Sequence, residues 1–118
     1  MVIARQHPGE TVGSWMMEGM LNRLDHSVSG NVLWVVIPMM NSDGVTLGNN
    51  RTGVQGTDYN RGWNWDELPR KEKVYPEIVA FAELIKSLRR KYSGKPRMFL
   101  DLHGHSSQPN VFSYGPPH

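Results

Sequence analysis

His7 and Glu10 stand three positions apart across Pro8-Gly9, and His103 follows Glu10 by ninety-three positions. Two imidazoles and one carboxylate are the donor set of a catalytic zinc. Three protein ligands leave a fourth position for water, whose pKa falls from about 9 in aqueous zinc to about 7 in such a site. The Pro-Gly turn can point His7 and Glu10 the same way, and so distant a third ligand makes the site depend on the fold. The chain has no cysteine, so a thiolate site is excluded and any metal must be held by His and carboxylate. A single His-x-x-Glu is common by chance, and the spacing by itself does not separate a ligand pair from a coincidence.

The elements that must position these residues can be read from periodicity. Val2-Ile3-Ala4 predicts the end of a strand, cut by the turn His7-Pro8-Gly9-Glu10. From Thr11 to Leu24 the residues Val12, Trp15, Met16, Met20 and Leu24 recur at spacings of three and four, which predicts a helix with that face buried, followed by a loop over Asp25–Asn31. Asn31–Ile37 is apolar and β-branched after its first residue and is ended by Pro38, as in a strand buried on both faces. Asn41–Glu67 keeps no period and reads as a long irregular segment. Because it carries Arg51, Asp58, Asn60, Arg61, Trp63 and Trp65, a functional loop is favoured over a linker.

Pro76 can open a second helix with Ile78, Phe81, Ala82, Ile85, Leu88 and Tyr92 at helical spacing, Arg89-Arg90-Lys91 in its last turn, and Gly94 and Pro96 as its stop. Arg97–Leu102 then reads as a strand running into His103, and Val111–Tyr114 as one more short strand. The order predicts a three-layer α/β domain with a central mixed, mostly parallel sheet, whose ligands gather at the carboxyl ends of the strands. His7, Glu10 and His103 all fall at such ends.

Composition sets the outer limits. At 118 residues the chain is one domain at most, small for a metallohydrolase with a walled pocket. Thirteen basic against eleven acidic residues leave a formal charge of +2, too slight to argue for nucleic acid or a membrane surface. No apolar run approaches membrane-spanning length and the N-terminus lacks the signature of a signal peptide, so a soluble, cytoplasmic protein is expected.

Five motifs in order, His7-Pro8-Gly9-Glu10-Thr11, Asn41-Ser42-Asp43-Gly44-Val45, Gly48-Asn49-Asn50-Arg51, Gly56-Thr57-Asp58-Tyr59-Asn60-Arg61-Gly62-Trp63 and Asp101-Leu102-His103-Gly104-His105-Ser106, closely resemble the zinc carboxypeptidase family. The versions present look like its cytosolic branch, whose members trim glutamates from tubulin tails and other acidic C-termini. The resemblance implies a protein-deglutamylating metallopeptidase with one zinc per chain, held by His7, Glu10 and His103. It makes Arg51 the cation that polarises the scissile carbonyl, and Asn60 and Arg61 the binders of the substrate's terminal carboxylate. It places Asp58 behind a zinc-ligating His, with His7 the expected partner. Taken singly, Asp58 and Asn60 also read as turn caps, and Arg51 and Arg61 as solvated charges.

Two departures bear on this. Ser42 stands where the family usually has Pro. The family's general-base Glu and a substrate-contacting Tyr belong to later strands, beyond His118, and Glu67, Glu72, Glu77 and Glu83 lie in the wrong part of the pattern to substitute. A general base contributes roughly 10² to 10⁴ in rate. The expectation is therefore that residues 1–118 are an incomplete catalytic domain, nearly inactive alone. The competing reading is a non-catalytic, zinc-containing module that binds acidic C-terminal tails.

Overall fold

A computed structural model describes residues 1–27, 32–64, 66–67, 73–92 and 98–115. Their elements run β1 (Val2–Ala4), α1 (Val12–Ser27), β2 (Val36–Ile37), α2 (Ser42–Leu47), a 3₁₀ turn (Tyr59–Arg61), α3 (Pro76–Tyr92) and β3 (Leu100–Leu102). The three strands form one parallel sheet in the order β2-β1-β3, with Val2 opposite both Val36 and Leu100, and Ile3 opposite Ile37 and Asp101.

Because side chains alternate along a strand, the central β1 buries both faces. Ile3 points to one side, where Met40, Tyr59 and the α3 residues Ile78, Phe81 and Ala82 close over it. Val2 and Ala4 point to the other, against Met17 of α1, with Met20, Trp34, Val36 and Leu102 around them. Helix, sheet and helix thus make the three layers expected of an α/β domain.

Several local expectations need correction. The buried line on α1 is Gly13 and Met17 followed by half-buried Met20 and Leu24, whereas Val12 and Met16 are exposed and Trp15 is 72% exposed. The helix also runs on to Ser27, through the start of the expected loop, whose Val28–Asn31 lie outside the described residues. Within the expected strand Asn31–Ile37 only Val36–Ile37 pairs as β2. Val32 and Leu33 are exposed because β2 has a neighbour on one side alone among the described residues. In the expected strand Arg97–Leu102, Leu100–Leu102 forms β3 and Arg97 lies outside the described residues, as do Gly94 and Pro96. Val111–Tyr114 is not a strand: none of the described residues pairs with it, and Val111 and Tyr114 are almost wholly exposed.

The segment Asn41–Glu67 holds more order than its composition suggests. Asn41, itself fully buried, caps α2 by accepting the Gly44 N–H at 3.1 Å, and Ser42 occupies the first helical position, where a proline would also fit. Asp58 caps the 3₁₀ turn by accepting the Asn60 N–H at 2.9 Å. The buried Tyr59 that follows donates its hydroxyl to Glu77 and so fastens the turn to α3. Competing side-chain hydrogen bonds, rather than a hydrophobic period, define these short elements.

Candidate metal centre

The chain leaves β1 through Arg5, whose backbone is left-handed at φ 56°. Its guanidinium donates to the Pro8 carbonyl and, at 2.7 Å, to Ser14 Oγ, which holds the His7–Glu10 loop against the first turns of α1. Gly9 permits a second close approach. Its N–H donates to the Asn50 carbonyl at 2.7 Å, and a Cβ there would lie 2.3 Å from Asn50 Oδ1. The segment carrying Arg51 is thereby laid beside the segment carrying His7 and Glu10. His103 arrives from the adjacent strand end, directly after β3.

Three ligand atoms converge. His7 Nδ1 lies 2.9 Å from Glu10 Oε1 and 2.9 Å from His103 Nε2, and His103 Nε2 lies 3.3 Å from Glu10 Oε2. A tetrahedral zinc with bonds of roughly 2.0–2.1 Å separates its ligand atoms by about 3.3 Å, so the cluster is close to the required size. His7 is 2% exposed. Glu10 Oε2 also accepts the Gly104 N–H at 2.7 Å, which anchors the carboxylate.

The outer nitrogens decide whether the donors suit a cation. His7 Nε2 sits 2.9 Å from Asp58 Oδ1, and His103 Nδ1 sits 2.9 Å from Asp101 Oδ2. An ionised carboxylate only accepts, so each imidazole carries its proton on the outer side and turns a lone pair inward. Two nitrogen lone pairs and the Glu10 carboxylate then face one another at hydrogen-bond distance with no proton among them. A divalent cation resolves that arrangement, and the carboxylate–histidine pairs behind it are those that orient metal ligands. A proton is the alternative occupant. Accordingly the hydrogen bond that His103 donates to Asp101 holds the His103 pKa above its ordinary value despite burial, helped by the charges of Asp101 and Glu10. Burial pushes the Asp58 carboxyl upward, but hydrogen bonds from His7, Arg51 and the Asn60 N–H outweigh it and hold the group below the usual carboxylate range.

Arg51 joins the centre through Asp58, its Nε donating to Oδ2 at 2.7 Å while its side chain stays exposed. One carboxylate therefore holds both an imidazole of the cluster and the guanidinium. Asn60 and Arg61 follow Asp58 on the 3₁₀ turn that it caps. Asn60 is half-buried, and the exposed Arg61 donates from its guanidinium to the Asn60 carbonyl at 3.0 Å. His105 does not join the cluster: it is exposed, its Nδ1 accepts the backbone N–H groups of Ser107 and Gln108 at 3.3 and 3.0 Å, and its ring rests on Phe112. Trp63 packs edge-on against Phe81 and Phe99, whereas Trp65 lies outside the described residues.

Sequence reasoning assigned no role to Asp101 or Gln6. The signal for Asp101 was the strand period: two positions before His103, it shares that residue's side of β3. Gln6 carried no motif signal at all.

Comparison with known proteins gives a consistent picture. A model of the zinc carboxypeptidase family matches residues 1–116. Cytosolic carboxypeptidase 1 of Danio rerio is 40% identical over 119 residues, covering 95% of this chain and 10% of that protein. Cytosolic carboxypeptidase 2 of Danio rerio is 40% identical over 120 residues, covering 97% and 16%. A crystal structure of a metallo-carboxypeptidase from Burkholderia cenocepacia superposes with a TM-score of 0.73 at 33% identity, over 92% of this chain and 29% of that one. A metallo-carboxypeptidase from Pseudomonas aeruginosa, in complex with (2-guanidinoethylmercapto)succinic acid, does so with a TM-score of 0.65 at 37% identity, over 88% and 27%. The chain thus spans at most 16% of those two relatives and under a third of those two structures.

Proposed function

The chain belongs to the zinc carboxypeptidase family, and from that premise we propose that it forms the metal-holding part of a catalytic domain that removes C-terminal residues from peptides or proteins. The single observation that carries the reading is the convergence of His7 Nδ1, Glu10 and His103 Nε2, with Asp58 and Asp101 fixing the outer nitrogens. His7, Glu10 and His103 would hold one zinc ion per chain. When bound there, the ion supplies Lewis-acid polarisation of a carbonyl and lowers the pKa of water to about 7.

The chain's own residues divide the remaining work. Asp58 and Asp101 keep the two imidazoles in the tautomer that presents a lone pair to the ion. Arg51 gives its Nε to Asp58, so its other donors are those directed at the scissile carbonyl oxygen, where negative charge develops. Asn60 and Arg61 bind the terminal carboxylate of the substrate, for which the planar guanidinium fork is suited, and this makes the reaction exopeptidic. Arg61 must then exchange its present bond to the Asn60 carbonyl for the substrate. The carboxylates of the cluster already have partners: Glu10 lies against both imidazoles, Asp58 against His7 and Arg51, and Asp101 against His103. We assign the general base to a residue outside this cluster.

The substrate class is C-terminal glutamate on acidic tails such as those of tubulin, and the compartment is the cytoplasm. The compartment is supported by the kinship with proteins named cytosolic carboxypeptidases, and the glutamate preference by the resemblance of the five motifs to that branch. Among the described residues no helix is long and apolar enough to cross a membrane. The test is release of glutamate from a glutamate-ended peptide by the protein carrying this segment, against His7→Ala and Glu10→Ala. Both variants should lose metal and activity together, and turnover that survives either substitution would sink the proposal.

A further inference from the structure

Gln6 is 3% exposed and sits immediately before His7. Its side chain is engaged at both ends. Trp63 Nε1 donates to Gln6 Oε1 at 2.6 Å, and Gln6 Nε2 donates to Asp101 Oδ2 at 2.6 Å, the same oxygen that faces His103 Nδ1 at 2.9 Å. The direction of this chain is forced. An indole N–H can only donate and an ionised carboxylate can only accept, so the amide fits in one orientation. Asp101 Oδ1 is buried without a hydrogen-bond partner among the described residues, which leaves Oδ2 to accept from both neighbours. The other end is equally fixed: the Trp63 ring packs edge-on to Phe81 of α3 at 5.8 Å and to Phe99 at 6.5 Å. The Gln6 carbonyl, meanwhile, accepts from Asn41 Nδ2 at 3.1 Å.

We propose that Gln6 is a positioning residue: the relay Trp63–Gln6–Asp101 sets the ring orientation and tautomer of His103 and ties the metal centre to the segment that carries Asn60 and Arg61. The proposal rests on the metal-centre reading above. Trp63 lies two residues after Arg61, so a shift of the carboxylate-binding turn moves the indole, and a moved indole frees Gln6 to turn away from Asp101. Metal affinity and the placement of the terminal-carboxylate binders are coupled through one buried amide.

Gln6→Met keeps the length of the side chain and deletes both hydrogen bonds, whereas Trp63→Phe keeps an aromatic ring and deletes one N–H. Competition with a chromophoric chelator should show zinc affinity lowered about 10- to 100-fold in each, the usual cost of losing a group behind a ligand. The double variant should fall near the Gln6 single rather than at the product of the two, because both act on one chain of bonds. In the metal-free chain at alkaline pH, where the ring is neutral, ¹⁵N spectra of His103 should show the Nδ1-protonated form in the wild type and a mixture of tautomers in Gln6→Met, a change that mere loss of packing would not produce. If Gln6→Met does not fold, as judged by circular dichroism, Trp63→Phe carries the same two measurements.

His103→Ala separates the two readings. Zinc affinity lost in His103→Ala but kept within about twofold in Gln6→Met and Trp63→Phe, with the tautomer unchanged, overturns the relay and leaves the metal centre standing. Affinity unchanged in His103→Ala overturns the metal centre itself.

Discussion

His103 meets opposite demands in its metal-free and metal-loaded states. Without metal, the hydrogen bond to Asp101 outweighs burial and raises its pKa above the ordinary 6.5. A folded state that binds the proton more tightly than the unfolded chain gains stability that is fully present below about pH 6.5 and is lost as pH rises through the folded value. Zinc binding runs the other way, because the ion needs the lone pair that the proton occupies. Asp58 contributes at the other end of the scale: its depressed carboxyl adds stability present above about pH 3.9 and lost as pH falls through its folded value. The chelated chain should therefore lose stability relative to His103→Gln as pH rises above about 6.5, while zinc affinity of the wild type rises over the same interval. Urea denaturation with excess chelator and zinc competition at a series of pH values measure the two, and a wild-type-minus-variant difference that stays flat across that interval would contradict it. At this scale the sequence was readable where residue type and motif coincide, at His7, Glu10, His103 and the Asp58 that faces His7. It was unreadable at Gln6, whose amide is placed by Trp63 and Asp101, fifty-seven and ninety-five positions away.

Among the elements, α1 shows best why a correct helix can carry a wrong face. Counting apolar residues selects Val12, Trp15 and Met16, yet the face against the sheet starts at Gly13, because a residue without a side chain lets the helix backbone approach β3. A Cβ at Gly13 would lie 2.6 Å from the Leu102 carbonyl oxygen, a backbone atom that cannot step aside without moving the strand end that bears His103. Gly13→Ala should consequently destabilise the chain by about 1–3 kcal/mol through overpacking, against the roughly 1 kcal/mol that alanine favours a helix interior. Gly19 is the internal control. Nothing lies within 4 Å of its Cβ position, so Gly19→Ala should stabilise by about 0.4–1 kcal/mol. Denaturant midpoints of the two variants with opposite signs are the expected result; two stabilised proteins would show that α1 does not bear on β3 at Gly13. α3 was legible because Ile78, Phe81 and Ala82 form a one-sided apolar stripe, which periodicity detects directly. α2 and the 3₁₀ turn were not, since their caps Asn41 and Asp58 look the same in sequence whether they begin a helix or close a loop.

For the molecule as a whole, an ion held by His7, Glu10 and His103 would add to the β1–β3 pairing a second tie, between the turn after β1 and the end of β3. β2 and β3 each have one sheet neighbour among the described residues, Leu100 at the start of β3 is exposed, and beyond His103 residues His105–Gly115 lie almost entirely at the surface. His7 and Glu10 belong to the turn after β1, while His103 ends β3, so an ion between them closes a loop of about ninety residues. A ligand that binds the folded state alone stabilises by RT ln(1 + [L]/Kd), about 2.7 kcal/mol at a hundredfold excess over Kd. For a chain of this size that corresponds to an upward shift in Tm of roughly 10 °C. Calorimetry should therefore show a chelator-reversible rise of that order on adding zinc, graded with concentration and absent in His103→Ala. His105→Ala removes a histidine that stands outside the cluster and should keep the full shift, which distinguishes the clip from adventitious binding at exposed imidazoles. A Tm that ignores zinc in the wild type, or a shift that persists in His103→Ala, would mean that the ion does not join β1 to β3.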